Sequence, residues 1–111
     1  MVRLVNLTPH PVRLFKPDGE WIEVPPSGKV ARVVEEKEKV GEVDGIPVYL
    51  VEYKEVRDLP EPQKDTVYLV SQLVLQCLSG RPDVLAPDTS PTGAIRDNKG
   101  QIIGVKALIK I

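Results

Sequence analysis

The sequence predicts a mainly β (α+β) domain: a curled or barrel-like, mostly antiparallel sheet with one short helix. Three observations carry this. β-Branched residues recur in short runs, and such residues lose little by being extended and pack well on a pleated surface. Proline and glycine, 11 and 8 residues of 111, punctuate those runs at close intervals. A single segment, Gln72 to Leu78, places apolar residues at helical spacing.

The elements follow in order. "RLVNL" (3–7) and "VRLFK" (12–16) read as strands separated by "TPHP", where Pro9 and Pro11 remove two backbone donors and force an edge or a connection. "PDG" (17–19) is a turn, Pro setting φ and Gly accepting a left-handed one, and "EWIEV" (20–24) returns as the hairpin partner of 12–16. After "PPSG" (25–28), "KVARVV" (29–34) and "PVYLVEYKEV" (47–56) are further strands. Between them "EEKEKVGEVDG" (35–45) holds a charged, solvated hairpin tip and a short strand ending at Val43. "LPEPQKD" (59–65) is a proline-stiffened loop.

"TVYLVS" (66–71) is apolar on both parities, the pattern of a strand buried on both faces, and is expected at the centre of the sheet. It feeds the helix 72–78, where Leu73, Val74, Cys77 and Leu78 form one stripe. Ser71 stands at the N-cap, and Ser79-Gly80 with Arg81-Pro82 stops the helix. At the C-terminus "AIRD" (94–97), "NKG" (98–100) and "QIIGVKALIKI" (101–111) form a hairpin. Gly104 marks a bulge or a close approach there. A final strand ending in "LIKI" calls for a covered edge, within the fold or by a second subunit, so a homodimer is one expectation.

Composition narrows the function classes. One domain spans residues 1–111, and a chain near this size buries roughly two thirds of its unfolded surface. With 15 basic against 16 acidic residues the net charge is -1, which does not favour nucleic acid as a partner. Cys77 is the one cysteine and His10 the one histidine, so a disulfide within the chain and the four-ligand zinc sites of Cys, or of Cys and His, are excluded. No metal or cofactor is expected. No run reaches the roughly 18 to 20 apolar residues of a membrane span, and "MVRLVNLTPH" has no signal-like apolar core. A cytoplasmic protein is the expectation, and abundant Val, Glu and Lys with few Asn, Met and Cys point to a heat-adapted source.

The candidate functional residues lie mainly outside the strands. In "VLAPDTSPTGAIRD" (84–97), Asp88, Thr89, Ser90 and Thr92 crowd a Pro- and Gly-rich bend. Either they satisfy their own backbone in Asx- and ST-turns, or the loop presents Asp88, Thr89, Ser90 and nearby backbone N–H groups to a ligand, the hydroxyl and N–H donors suiting a phosphate, a carboxylate or a sugar hydroxyl. Ser71 caps the helix or contributes to an anion site at its start; the glycines of a nucleophile elbow are missing from "LVSQL". His10, held between prolines, is idle or is the only available imidazole base. Arg96 and Asp97 sit at a strand end before a turn, where Arg96 pairs with Asp88 or clamps an anion. Cys77 reads as a buried small hydrophobe, and Trp21 as a contact surface or a lid on the core.

With these residues set out, the chain resembles a family of small uncharacterised prokaryotic and phage-encoded proteins. The resemblance rests on "NLTPH" (Asn6–His10), "YLVS" (Tyr68–Ser71), "APDT" (Ala86–Thr89), "AIRD" (Ala94–Asp97) and Gly100 with "IIGV" (Ile102–Val105). It skips roughly residues 17 to 60, and Ser90 stands where family members often carry Gly. The resemblance implies a grouping of residues and no chemistry: Asn6, Thr8, His10, Ser71, Asp88, Thr89, Arg96 and Asp97 gather in one place. Three functions follow. The first is a non-catalytic binding module for a small anionic ligand or a protein partner. The second is a small hydrolase or lyase using His10 with Asp88 or Ser71. The third is a nucleic-acid binder with a strip of Arg3, Arg13, Lys106 and Lys110.

Overall fold

The computed structural model describes residues 2–78 and 80–111. The chain runs β1 (Arg3–Asn6), β2 (Val12–Phe15), β3 (Trp21–Val24), β4 (Arg32–Val43), β5 (Ile46–Arg57), β6 (Thr66–Leu69), α1 (Gln72–Gln76), β7 (Val84–Pro87), β8 (Ala94–Arg96), β9 (Ile102–Val105) and β10 (Leu108–Ile109). Mainly β is the outcome, but the sheets are mixed and none closes into a barrel. One sheet has the order β1-β6-β7-β10, the second β3-β2-β9-β8, and β4-β5 stand as a separate ribbon. Among the described residues no helix is long and apolar enough to cross a membrane.

Parallel pairing is what departs from the expected antiparallel curl. β6 lies between β1 and β7 and is parallel to both. Parallel neighbours need a crossover, and α1 occupies the one between β6 and β7. The two-sided apolar pattern of 66–71 has its explanation here: Tyr68, Leu69 and Val70 are buried to 2%, 0% and 0% exposure. They join Leu7, Ala31, Val74, Leu75, Val84 and Ala86 in the core. The Tyr68 hydroxyl, the one polar end of that side chain, donates to the Glu61 carbonyl at 3.1 Å.

The helix is shorter than its sequence pattern. It stops at Gln76, little more than one turn, and Val74 and Leu75 are its buried residues while Leu73 is exposed. Cys77 is the C-cap and only partly buried. Of the expected stop, Ser79 lies outside the described residues and Gly80 has φ 72°. Beyond it Arg81 grips Asp83 with two 2.9 Å bonds and donates to the Pro60 carbonyl at 3.0 Å, tying the loop before β6 to the turn before β7.

The second sheet contains the expected 12–16/20–24 hairpin in the register Val12↔Val24 to Phe15↔Trp21. Its Pro-Asp-Gly turn closes with Gly19 at φ 90°. β2 also pairs with β9 in parallel. At Gly104 both suggestions from the sequence hold. The β8–β9 register shifts between Ile95 and Arg96, and a Cβ at Gly104 would strike the Phe15 ring and lie 3.0 Å from the Arg13 carbonyl oxygen. The last run, expected as one strand, breaks at Lys106-Ala107. β9 ends in the second sheet, and β10 pairs with β7 of the first.

The charged segment 35–45 is not a tip with a separate strand. β4 and β5 form one continuous ladder from Arg32↔Arg57 to Val43↔Ile46, interrupted by two bulges. Asp44 and Gly45 make the turn, with φ of 49° and 78°, the paired positive φ of a two-residue hairpin. The ribbon stretches the molecule to 51 × 39 × 24 Å and its radius of gyration to 16.5 Å, against about 13 Å for a compact chain of this length.

Two outcomes test this packing. Gly104→Ala is expected to lower stability by about 1–3 kcal/mol, the usual cost of overpacking, read as a lower urea midpoint. Arg81 holds the Asp83 carboxyl below its ordinary range, chiefly by hydrogen bonding. A lowered native pKa stabilises the fold above the unfolded value of about 3.9 and loses that contribution as pH falls through the native value. Thermal unfolding of the wild type is therefore expected to depend more steeply on pH below about 4 than that of Asp83→Asn.

Candidate functional site

The two sheets leave a cleft between them where β7 ends and β2 begins. Its larger region, about 600 Å³, is walled by Val12 and Arg13 of β2, Glu23 of β3, and β9. The smaller, about 320 Å³, reaches Thr8, Val70, Ser71 and Gln72. His10, Pro11, Val12, Pro87 and Thr89 border both, so the two regions are one continuous depression.

Its near wall is built by Asn6. The side chain is 1% exposed and uses both ends of its amide. Nδ2 donates to the His10 carbonyl at 2.8 Å and to the Val24 carbonyl at 3.0 Å. Oδ1 accepts from the Thr8 backbone N–H at 2.9 Å. The Thr8 hydroxyl reaches Oδ1 at 2.7 Å and the His10 carbonyl at 2.9 Å, its single proton serving one at a time. Pro9 and Pro11 have no N–H to offer, so the amide supplies the pairing the backbone lacks. His10 is thereby fixed with its residue exposed at the cleft.

On the opposite side Ser71 is the N-cap, extended at φ -67°, ψ 159°, its Oγ accepting from the Val74 N–H at 3.3 Å. Gln72 crosses to the late loop and donates to Thr89 Oγ1 at 2.9 Å and the Pro87 carbonyl at 3.3 Å. The remainder of that loop is held by its own side chains and by the β9–β10 connection, the Asp88 N–H donating to the Ala107 carbonyl at 3.0 Å and the Lys106 N–H to the Gly93 carbonyl at 2.9 Å. Asp88 Oδ1 accepts from the Ser90 N–H at 3.0 Å. Ser90, through its side chain first and its backbone second, keeps the Asp88 carboxyl below its ordinary range. A Cβ at Gly93 would overlap that carboxylate. The Ser90 carbonyl accepts from Gly93 and Ala94, and the Ser90 and Thr92 hydroxyls lie 3.1 Å apart.

Of the residues expected to gather, Thr8, His10, Ser71 and Thr89 border the cleft, and Asn6 lies beneath it as support. Asp88 and Ser90 shape the neighbouring bend. Arg96 and Asp97 do not border the cleft. Arg96 donates to the Gly100 carbonyl at 2.6 Å, and Asp97 accepts from the N–H groups of Lys99 and Gln101, so both close the β8–β9 turn. Among the described residues no hydrogen bond joins the His10 ring to Ser71 or Asp88.

Gln72 and Glu23 are cleft residues that the loop-centred reading of the sequence overlooked, and Arg13, expected only in a basic strip, is a third member of the wall. A usable signal existed: Arg13 and Glu23 face each other in the hairpin register. Arg13 Nη2 lies 3.4 Å from Glu23 Oε1, and its guanidinium sits 4.3 Å from the centre of the Trp21 ring. Half-exposed Trp21 is thus the platform of a cation–π contact. Arg13 Nε is buried with no hydrogen-bond partner. Comparison with protein-family models, curated proteins and solved structures gives no match.

Asn6→Ala is expected to cost about 2–3 kcal/mol in urea unfolding, because buried carbonyls and an N–H lose their partner together. His10→Ala, at an exposed position, is expected to change stability by less than about 0.5 kcal/mol.

Proposed function

We infer that the protein is a non-catalytic binding module, and that the inter-sheet cleft takes a small ligand with an apolar body and an anionic end. One observation carries this reading: chain segments far apart in sequence meet around a single continuous depression. Its walls are largely apolar, from Pro11, Val12, Ile102, Ile103 and Val105, while Thr8, Thr89, His10 and Arg13 supply polar groups. Apolar walls with a few convergent polar groups are the usual make-up of a ligand site. The motifs behind the family resemblance bear on the same place, with "NLTPH", "YLVS" and "APDT" around the smaller region and "IIGV" along the larger.

Catalysis by His10 is less well supported. The candidate nucleophile Ser71 already caps α1, and the candidate carboxylate Asp88 is occupied by its own bend. The basic strip is weakened by the charge balance, 15 basic against 16 acidic residues.

A titration followed by amide NMR tests the reading, with medium-chain carboxylates, aryl phosphates and nucleoside monophosphates as probes. At least one class is expected to shift His10, Val12, Thr89 and Ile103, and Ile103→Glu is expected to abolish the shifts. Arg13→Gln is expected to weaken an anionic probe by roughly tenfold, as loss of a charged hydrogen bond would. Probes that bind elsewhere, or no binding from any class, would overturn it.

A further inference from the structure

The long ribbon has no part in the cleft. Val33 and Val56 pack against the core at its base; beyond them, among the described residues, β4 and β5 have only each other as sheet neighbours. A lone two-stranded ribbon is marginal in water, and this one carries apolar side chains on its outer half. Val43, Ile46 and Leu50 are 62%, 65% and 60% exposed, and Val40, Val48, Tyr49 and Tyr53 are exposed as well.

Its two edges differ in what they can accept. In an antiparallel pair directly opposite side chains share a face, so self-pairing across a two-fold axis matches residues of equal parity. On β4, an axis through Lys37 sets Lys37 against itself and Glu36 against Glu38; an axis through Glu38 sets Glu38 against itself and Lys37 against Lys39. Like charges directly opposite destabilise, and such charges are a common guard on an edge. β5 has no charge from Ile46 to Val51. The two-residue turn directs the hydrogen bonds of the Val43–Ile46 pair inward, so the backbone groups of 47, 49, 51 and 53 face the free edge. Pro47 has no N–H and ends that edge near the tip, and the bulge between Val33 and Glu35 ends it near the base.

We propose that two copies of this chain pair antiparallel along the free edge of β5, with a two-fold axis at Val51, to make a four-stranded sheet from two ribbons. That axis sets Val51 against itself, Tyr49 against Tyr53 of the second copy, Leu50 against Glu52 and Val48 against Lys54, with no like charges opposed. Aromatic cross-strand pairs are among the favourable ones, and the ladder uses the outward groups of 49, 51 and 53 without calling on Pro47. The assembly is independent of the cleft, so it stands or falls separately from the ligand reading.

Sedimentation equilibrium tests it. The wild type is expected to be a dimer and Val51→Lys, which opposes two lysines, a monomer. Two double variants remove the same pair of tyrosines. Tyr49→Lys with Tyr53→Lys is expected to dissociate the dimer, whereas Tyr49→Lys with Tyr53→Glu, which opposes unlike charges across the axis, is expected to bind roughly tenfold or more tighter than the first. Circular dichroism and thermal unfolding identify any variant that has lost the fold; Tyr49 and Tyr53 are exposed and Val51 is half-buried, and folded variants are expected. A monomeric wild type, a dimeric Val51→Lys, or equal loss in both double variants would overturn the proposal, the last by showing an apolar contact without this register.

Discussion

The cleft depends on one buried amide. Asn6 ends β1 in the first sheet, and its Nδ2 reaches a carbonyl of β3 in the second. The same group holds the Pro-bounded turn that carries His10. A backbone pair reinforces the joint: the Ser27 N–H, just past β3, donates to the Asn6 carbonyl at 3.0 Å. A buried polar group is costly unless satisfied, and satisfying this one fixes where the two sheets sit against each other. The His10 turn is placed by that joint and Thr89 by Gln72 on the far side, while the β9 wall is placed by its pairing with β2 and β8.

How much of this was legible in the sequence varies with the range of the interaction. Local chemistry could be read directly. Pro17-Asp18-Gly19 made its turn, β2 and β3 paired as expected, and the two-sided apolar run at 66–71 became an inner strand. The order of strands could not be read, because short parallel strands linked by long crossovers leave no local mark of their partner. The ribbon was misjudged for a different reason. Its charges looked like a solvated tip, whereas Asp44-Gly45, a two-residue turn signal, specifies a continuous hairpin through them.

The candidate site was legible in part on the same grounds. Thr8, His10, Ser71 and Thr89 do converge. Asp88 and Ser90 illustrate why hydroxyls on a rigid bend mislead: Asp and Ser side chains bond their own nearby backbone as readily as a ligand, and only the fold shows that Thr89 looks outward while its neighbours turn in. Glu23 escaped notice, and Arg13 was placed only in a basic strip, because a strand residue at a cleft wall has the same local pattern as one on a solvated face.

The meeting of β1 with β6 also governs the order in which the molecule can be completed. As the chain is synthesised, β1 must wait for the second sheet's first hairpin, the whole ribbon and the loop after it before its partner exists. The ribbon needs nothing but itself to zip, since its turn lies at its own middle, and local closure is far quicker than distant pairing. A nascent chain therefore displays its most apolar exposed element before it owns a core. The lysines and glutamates of β4, Pro47 near the tip of β5 and the brevity of every other edge strand act in that interval as much as in the finished protein.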